Sequence, residues 1–94
     1  GNCRIIVGNC LPENDITKLF IPSVNSYEGV LLDNIELHPG DKVVVEISPG
    51  EYTMTLTDDC AATYSISFEI NPGDIREFNL TMDYLEYDFS FPSR

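Results

Sequence analysis

Residues 51–70, EYTMTLTDDCAATYSISFEI, decide the fold. Tyr52, Met54 and Leu56 alternate with Thr53, Thr55 and Thr57. After a polar stretch at 58–61, Tyr64, Ile66, Phe68 and Ile70 alternate with Ser65, Ser67 and Glu69. Side chains of an extended strand point to opposite faces in turn, so each run has one apolar and one polar face. That is the pattern of a half-buried antiparallel strand.

The same period spreads outward. Val43, Val45 and Ile47 alternate with Lys42, Val44 and Glu46, and Phe78, Leu80 and Met82 with Glu77, Asn79 and Thr81. No stretch repeats apolar residues at i, i+3, i+4 and i+7 over three helical turns. The punctuation agrees. Pro39-Gly40-Asp41, Pro49-Gly50-Glu51 and Pro72-Gly73-Asp74 share one turn chemistry, in which Pro presets φ and Gly accepts a positive φ at the next position, as in a type II turn. Strands are predicted at 4–8, 16–21, 30–37, 42–47, 51–57, 62–70 and 75–82. In the 83–94 tail, Leu85, Tyr87, Phe89 and Phe91 alternate with Tyr84, Glu86, Asp88 and Ser90, which reads as an extra edge strand ended by Pro92. Seven to eight short strands with frequent turns predict an all-β chain, one antiparallel β-sandwich over 1–94. Tyr52, Tyr64, Phe68 and Phe78 fall on the apolar phase and are assigned to its core. Outside the sheet, Tyr84, Tyr87, Phe89 and Phe91 would form an exposed patch of the kind that marks an interface.

Composition limits function. The 94 residues hold 5 Lys plus Arg against 16 Asp plus Glu, a net charge of −11. Nucleic acid and anionic membrane surfaces would repel such a domain. No apolar run approaches the ~20 residues of a membrane-spanning helix.

Cys3, Cys10 and Cys60 are the only cysteines, in no Cys-x-x-Cys pair, so a structural zinc site is not expected. A Cys3–Cys10 bridge is incompatible with an extended 4–8. Seven residues at ~3.3 Å span about 23 Å, and a disulfide needs Cα atoms within ~7 Å. Cys10–Cys60 and Cys3–Cys60 stay open, beside three reduced thiols. The chain begins Gly-Asn-Cys without Met, which suggests an upstream segment such as a secretory signal, with a lipid anchor as one form of it. Asn79-Leu80-Thr81 matches a glycosylation sequon, relevant only to a eukaryotic secreted protein.

Topology yields one constellation. If each strand reverses its predecessor, loop 9–15, turn 38–41, loop 58–61 and turn 82–84 meet at one pole. That pole gathers Glu13, Asp15, Asp41, Asp58, Asp59 and Asp83. It also brings Cys10 near Cys60, which favours that pairing. Carboxylates at a sandwich tip could hold Ca²⁺, with Asp15, Asp41, Asp58, Asp59 and Asp83 as candidate ligands, although no Asp-x-Asp-x-Asp-Gly spacing occurs. Acidic loops that are merely solvated explain the same residues. No other cofactor is expected.

No catalytic residue is assigned. Nucleophilic catalysis needs a base beside the nucleophile, and the only histidine, His38, precedes Pro39 in a turn. No Gly-rich loop opens a helix, so a phosphate cradle is not expected.

The frame Ile16, Leu19-Phe20-Ile21, Tyr27, Gly29, Leu31-Leu32, Leu37, Pro39-Gly40, Pro49-Gly50, Tyr52, Leu56 and Asp58 resembles small β-sandwich domains of bacterial secreted proteins and lipoproteins. Pro49-Gly50-x-Tyr52 also resembles the prealbumin-like regulatory domains attached to carboxypeptidases and outer-membrane receptors. The resemblance implies an immunoglobulin-like or prealbumin-like sandwich. It implies an extracytoplasmic, non-enzymatic domain of the cell envelope. Together with the all-β pattern and the absent catalytic set, the expectation is a structural or interaction module that engages a protein or glycan partner. A calcium- or carbohydrate-binding accessory domain using the acidic pole is the alternative expectation.

Overall fold

The computed structural model describes residues 2–26 and 29–82, and the backbone alone of 85–90. Among the described residues there are eight strands and no helix. They are β1 (Cys3–Asn9), β2 (Ile16–Pro22), β3 (Gly29–Leu37), β4 (Lys42–Ile47), β5 (Gly50–Asp58), β6 (Thr63–Ile70), β7 (Ile75–Leu80) and β8 (Leu85–Ser90). They form two four-stranded sheets, β4-β1-β7-β8 (sheet A) and β3-β2-β5-β6 (sheet B). β8 lies at an edge, paired with β7 from Leu80↔Leu85 to Ile75↔Ser90. The side chains of Tyr87 and Phe89, and all of Tyr84 and Phe91, lie outside the described residues.

The predicted alternation sets the burial. Ile5 and Val7 of β1, Leu19 and Ile21 of β2, Met54 and Leu56 of β5, and Phe78 and Leu80 of β7 are fully buried. Each such side chain withdrawn from water stabilises the fold by about 1.5–3 kcal/mol. These four strands are the inner members of their sheets. On the flanks, Val30, Leu32, Val43, Val45, Ile66 and Phe68 pack against this core only partly buried. Phe68 stacks on Tyr52 at 5.8 Å and meets Phe78 at 5.0 Å between ring centroids, joining the two layers. Of the four aromatics assigned to the core, Tyr52 and Phe78 are buried, and Tyr64 and Phe68 are half-buried against it.

Two features differ from the expectation. The sandwich is not wholly antiparallel, because β1 and β7 pair in parallel, with Val7 beside Phe78. Every strand reverses its predecessor, so the first and seventh point the same way, and their adjacency forces a parallel ladder. The three Pro-Gly-acid segments are also not one device. His38-Pro39-Gly40-Asp41 and Asn71-Pro72-Gly73-Asp74 are closed turns. Asp41 N donates to His38 O at 2.9 Å, Asp74 N donates to Asn71 O at 3.0 Å, and Gly40 and Gly73 have φ of 90° and 80°. Each Asp also accepts from the first turn residue's N–H through Oδ2, from His38 at 3.1 Å and from Asn71 at 3.0 Å. Gly50, by contrast, already belongs to β5, opposite Ile70. All three segments carry the chain from one sheet to the other, whereas the hairpins β2–β3, β5–β6 and β7–β8 use other sequences.

Candidate functional site: the acidic pole

Alternating strand direction places 10–15, 38–41 and 59–62 at one end of the sandwich. Asn9 is the buried hub of this pole, with no exposed surface. Its Nδ2 donates to Asn14 O at 2.9 Å and Leu37 O at 2.8 Å, and its Oδ1 accepts from Leu11 N at 2.9 Å. Its backbone N donates to Asp41 O at 2.9 Å, and its carbonyl accepts from Gly40 N at 2.8 Å. Cys10 N donates to Leu80 O at 2.8 Å, which fixes the start of the loop to β7. Asn9 belongs to none of the motifs in the sequence. The available signal was its place on the apolar phase of Cys3, Ile5 and Val7, where a polar residue needs internal partners.

Asp58, also buried, ends β5 and shapes the hairpin. Its Oδ1 accepts from Cys60 N and Ala62 N, both at 2.9 Å, and Tyr64 Oη reaches its Oδ2 at 3.4 Å. These bonds hold the turn in which Ala61 takes a φ of 64°. Burial first, then the neighbouring Asp58 charge, pushes the Tyr64 phenol pKa up. Asp59 reaches across to the first loop. Its Oδ1 accepts from Asn14 Nδ2 at 2.7 Å, its Oδ2 from Asp15 N at 3.1 Å, and its own N donates to Asp15 O at 3.0 Å. The Asn14 hydrogen bond, followed by the Asp15 N–H, lowers the Asp59 carboxyl pKa. Asp15 in turn lies 2.9 Å from His38 Nδ1, and that hydrogen bond and charge raise the histidine pKa.

The structure therefore brings Asp15, Asp41, Asp58 and Asp59 to one pole. Glu13 is exposed in the same loop, and Asp83 lies outside the described residues. Ligand atoms of Asp58, Asp59 and Cys60 lie within 4.8 Å of one another. Asp41, Asp58 and Asp59 nevertheless already accept hydrogen bonds that position the loops, and Asp15 faces His38. A cation there would compete with those bonds.

The Cys10–Cys60 bridge is not formed, and all three cysteines are free thiols. Cys10 is tied to β7 of sheet A, whereas Cys60 sits in the β5–β6 hairpin of sheet B, its Sγ accepting from Asn14 Nδ2 at 3.1 Å. Cys3 is buried at the opposite end, where its thiol donates to Asn71 O at 3.0 Å, and the length of the sandwich separates it from Cys60. That removes the Cys3–Cys60 alternative as well.

Among the described residues His38 Nδ1 faces a carboxylate, not a hydroxyl or thiol. Compared with known protein families and curated proteins, the chain matches no family model and no curated sequence.

Proposed function

We propose that this domain is a non-enzymatic interaction module that works outside the cytoplasm and engages a protein or glycan partner. The observation that carries the reading is the use of the acidic pole. Its carboxylates accept hydrogen bonds that hold three loops together, which is the work of a rigid scaffold presenting a surface. The extracytoplasmic placement, and a lipid anchor upstream of the chain, rest on the resemblance to secreted and lipoprotein domains.

The strand order favours the prealbumin-like form of that resemblance over the immunoglobulin-like one. An immunoglobulin sandwich pairs its first strand with its second in one sheet. Here β1 lies between β4 and β7, and β2 belongs to the other sheet.

A second reading, a calcium-binding accessory domain, is favoured only by the proximity of Asp58, Asp59 and Cys60. Thermal melting with and without millimolar Ca²⁺ separates the two, since a ligand that binds only the folded state raises its Tm. The interaction-module reading expects no rise. A rise abolished by Asp59→Asn would overturn it in favour of the metal site. Fractionation of cells expressing the intact gene tests the compartment, and recovery in the cytoplasm would refute the placement.

A further inference from the structure

The two outer faces of the sandwich differ in charge. On sheet A, Arg4 faces Glu46 and Lys42 reaches Glu77 at 3.2 Å. On sheet B, one row runs Leu31, Phe20, Thr55, Ser65 across all four strands. The next runs Gly29, Pro22, Thr53, Ser67, with Pro22 continuing the register that Ser23 and Tyr52 close. Neither row holds an ionisable group, in a chain whose net charge is −11. Among the described residues of this face, charges begin beyond them, at Lys18 and Asp33 on one side and Glu51 and Glu69 on the other.

The chemistry of this patch is divided. Phe20 and Leu31 sit opposite one another and are 42% and 56% exposed. Beside them, Thr55 and Ser65 hydroxyls meet at 2.9 Å and Thr53 and Ser67 at 3.2 Å. Each hydroxyl has one proton and two lone pairs, so each pair spends one proton and keeps another, with free lone pairs, for a ligand. A neutral sugar ring has the complementary pattern. Its C–H face packs on an aromatic ring, and its rim hydroxyls both donate and accept.

Size and charge discriminate among occupants. Four strands about 4.8 Å apart and two rows about 7 Å apart give roughly 200 Å². A stable protein interface needs about 800 Å² from each partner, so a second copy is poorly served, and two chains this acidic repel. Polyanionic glycans are repelled for the same reason. The patch offers no complementary charge to a basic peptide. We propose that the outer face of sheet B binds a neutral glycan, with Phe20 and Leu31 under the sugar ring and the Thr53–Ser67 and Thr55–Ser65 pairs meeting its hydroxyls. This rests on the interaction-module reading and names its partner, but it uses a face other than the pole, so a calcium result there does not bear on it and a negative glycan result leaves a protein partner to that reading.

The test is titration of the ¹⁵N-labelled chain with maltohexaose, cellopentaose and mannohexaose, followed by amide shifts. At least one sugar is expected to move Phe20, Leu31, Thr55 and Ser65 at millimolar concentration. Phe20→Ala and, separately, Thr55→Val are expected to weaken that binding about tenfold, with the rest of the spectrum still folded. The proposal is overturned if no sugar shifts these amides at about 10 mM, a concentration that would nearly saturate a site with a Kd of about 1 mM. Shifts confined to the acidic pole, shifts of the same amides with protein concentration alone, or unchanged affinity in a folded Thr55→Val variant would overturn it equally.

Discussion

Replacing Asn9 with alanine removes one buried side chain and three hydrogen bonds, and their worth can be estimated from their surroundings. Leu11 N–H loses its buried acceptor, which costs about 1–3 kcal/mol because no water replaces it. The buried Leu37 carbonyl loses a donor, about 1 kcal/mol, and the half-exposed Asn14 carbonyl about 0.5 kcal/mol, since water reaches it. The sum is about 2.5–4.5 kcal/mol. With an unfolding entropy near 2.1 cal/mol/K per residue, a chain of 94 residues loses about 13–23 °C in Tm. Differential scanning calorimetry and urea titration measure it. Asn9→Asp sharpens the test. When ionised, that side chain keeps the bond from Leu11 N–H but turns a charge toward the Leu37 carbonyl, and only its protonated form donates. The variant should therefore lose further stability as pH rises from about 4 to 7. A loss below about 1 kcal/mol for Asn9→Ala, or no pH dependence for Asn9→Asp, would refute Asn9 as the hub of the pole.

Glu51 and Glu69 stand directly opposite one another and are both exposed, so Glu69→Lys should raise Tm by about 2–5 °C at low salt, an effect that vanishes in molar NaCl. His38 is raised above its ordinary 6.5 by the Asp15 hydrogen bond and charge. Its contribution to stability is complete below that value and is lost as pH climbs through the folded pKa, so wild type should exceed His38→Gln most near pH 5–6 and least near pH 8. Asp59 works in the opposite sense. Its pKa is lowered from 3.8, so its contribution stands above that value and disappears as pH falls through the folded pKa. Acid unfolding of Asp59→Asn should therefore be shallower than that of wild type. Thiol titration of the denatured, unreduced chain should find three thiols. A single one would show Cys10 and Cys60 bridged.

Strand positions were legible because burial follows the period-two phase from 42 to 80, and the sheet-crossing turns at 38–41 and 71–74 carry their own chemistry in Pro, Gly and Asp. The pole was legible for a related reason. Once strands alternate in direction, Asp15, Asp41, Asp58 and Asp59 must share an end. Other features were not. Pro49-Gly50-Glu51 has the same letters as the two turns, yet β5 pairs with β6 from Gly50 onward and absorbs them. The parallel β1–β7 ladder has no local signature, because partners such as Val7 and Phe78 lie far apart in sequence. The carboxylates also read from sequence as free ligands. Their engagement with Asn14, Cys60 N–H and Ala62 N–H depends on loops meeting in space.

That ladder has a consequence for biosynthesis. Of the eight strands β1 is made first, but both of its partners are made later, β4 in the middle of the domain and β7 near its end. The β2–β3 and β5–β6 hairpins can close as they emerge, while Ile5 and Val7 wait uncovered for a neighbour about 70 residues downstream. Such non-local closure is slow, on the order of milliseconds to seconds, and it leaves a nascent chain open to aggregation for that interval. A stalled product ending before residue 75 would hold β1 by one edge alone.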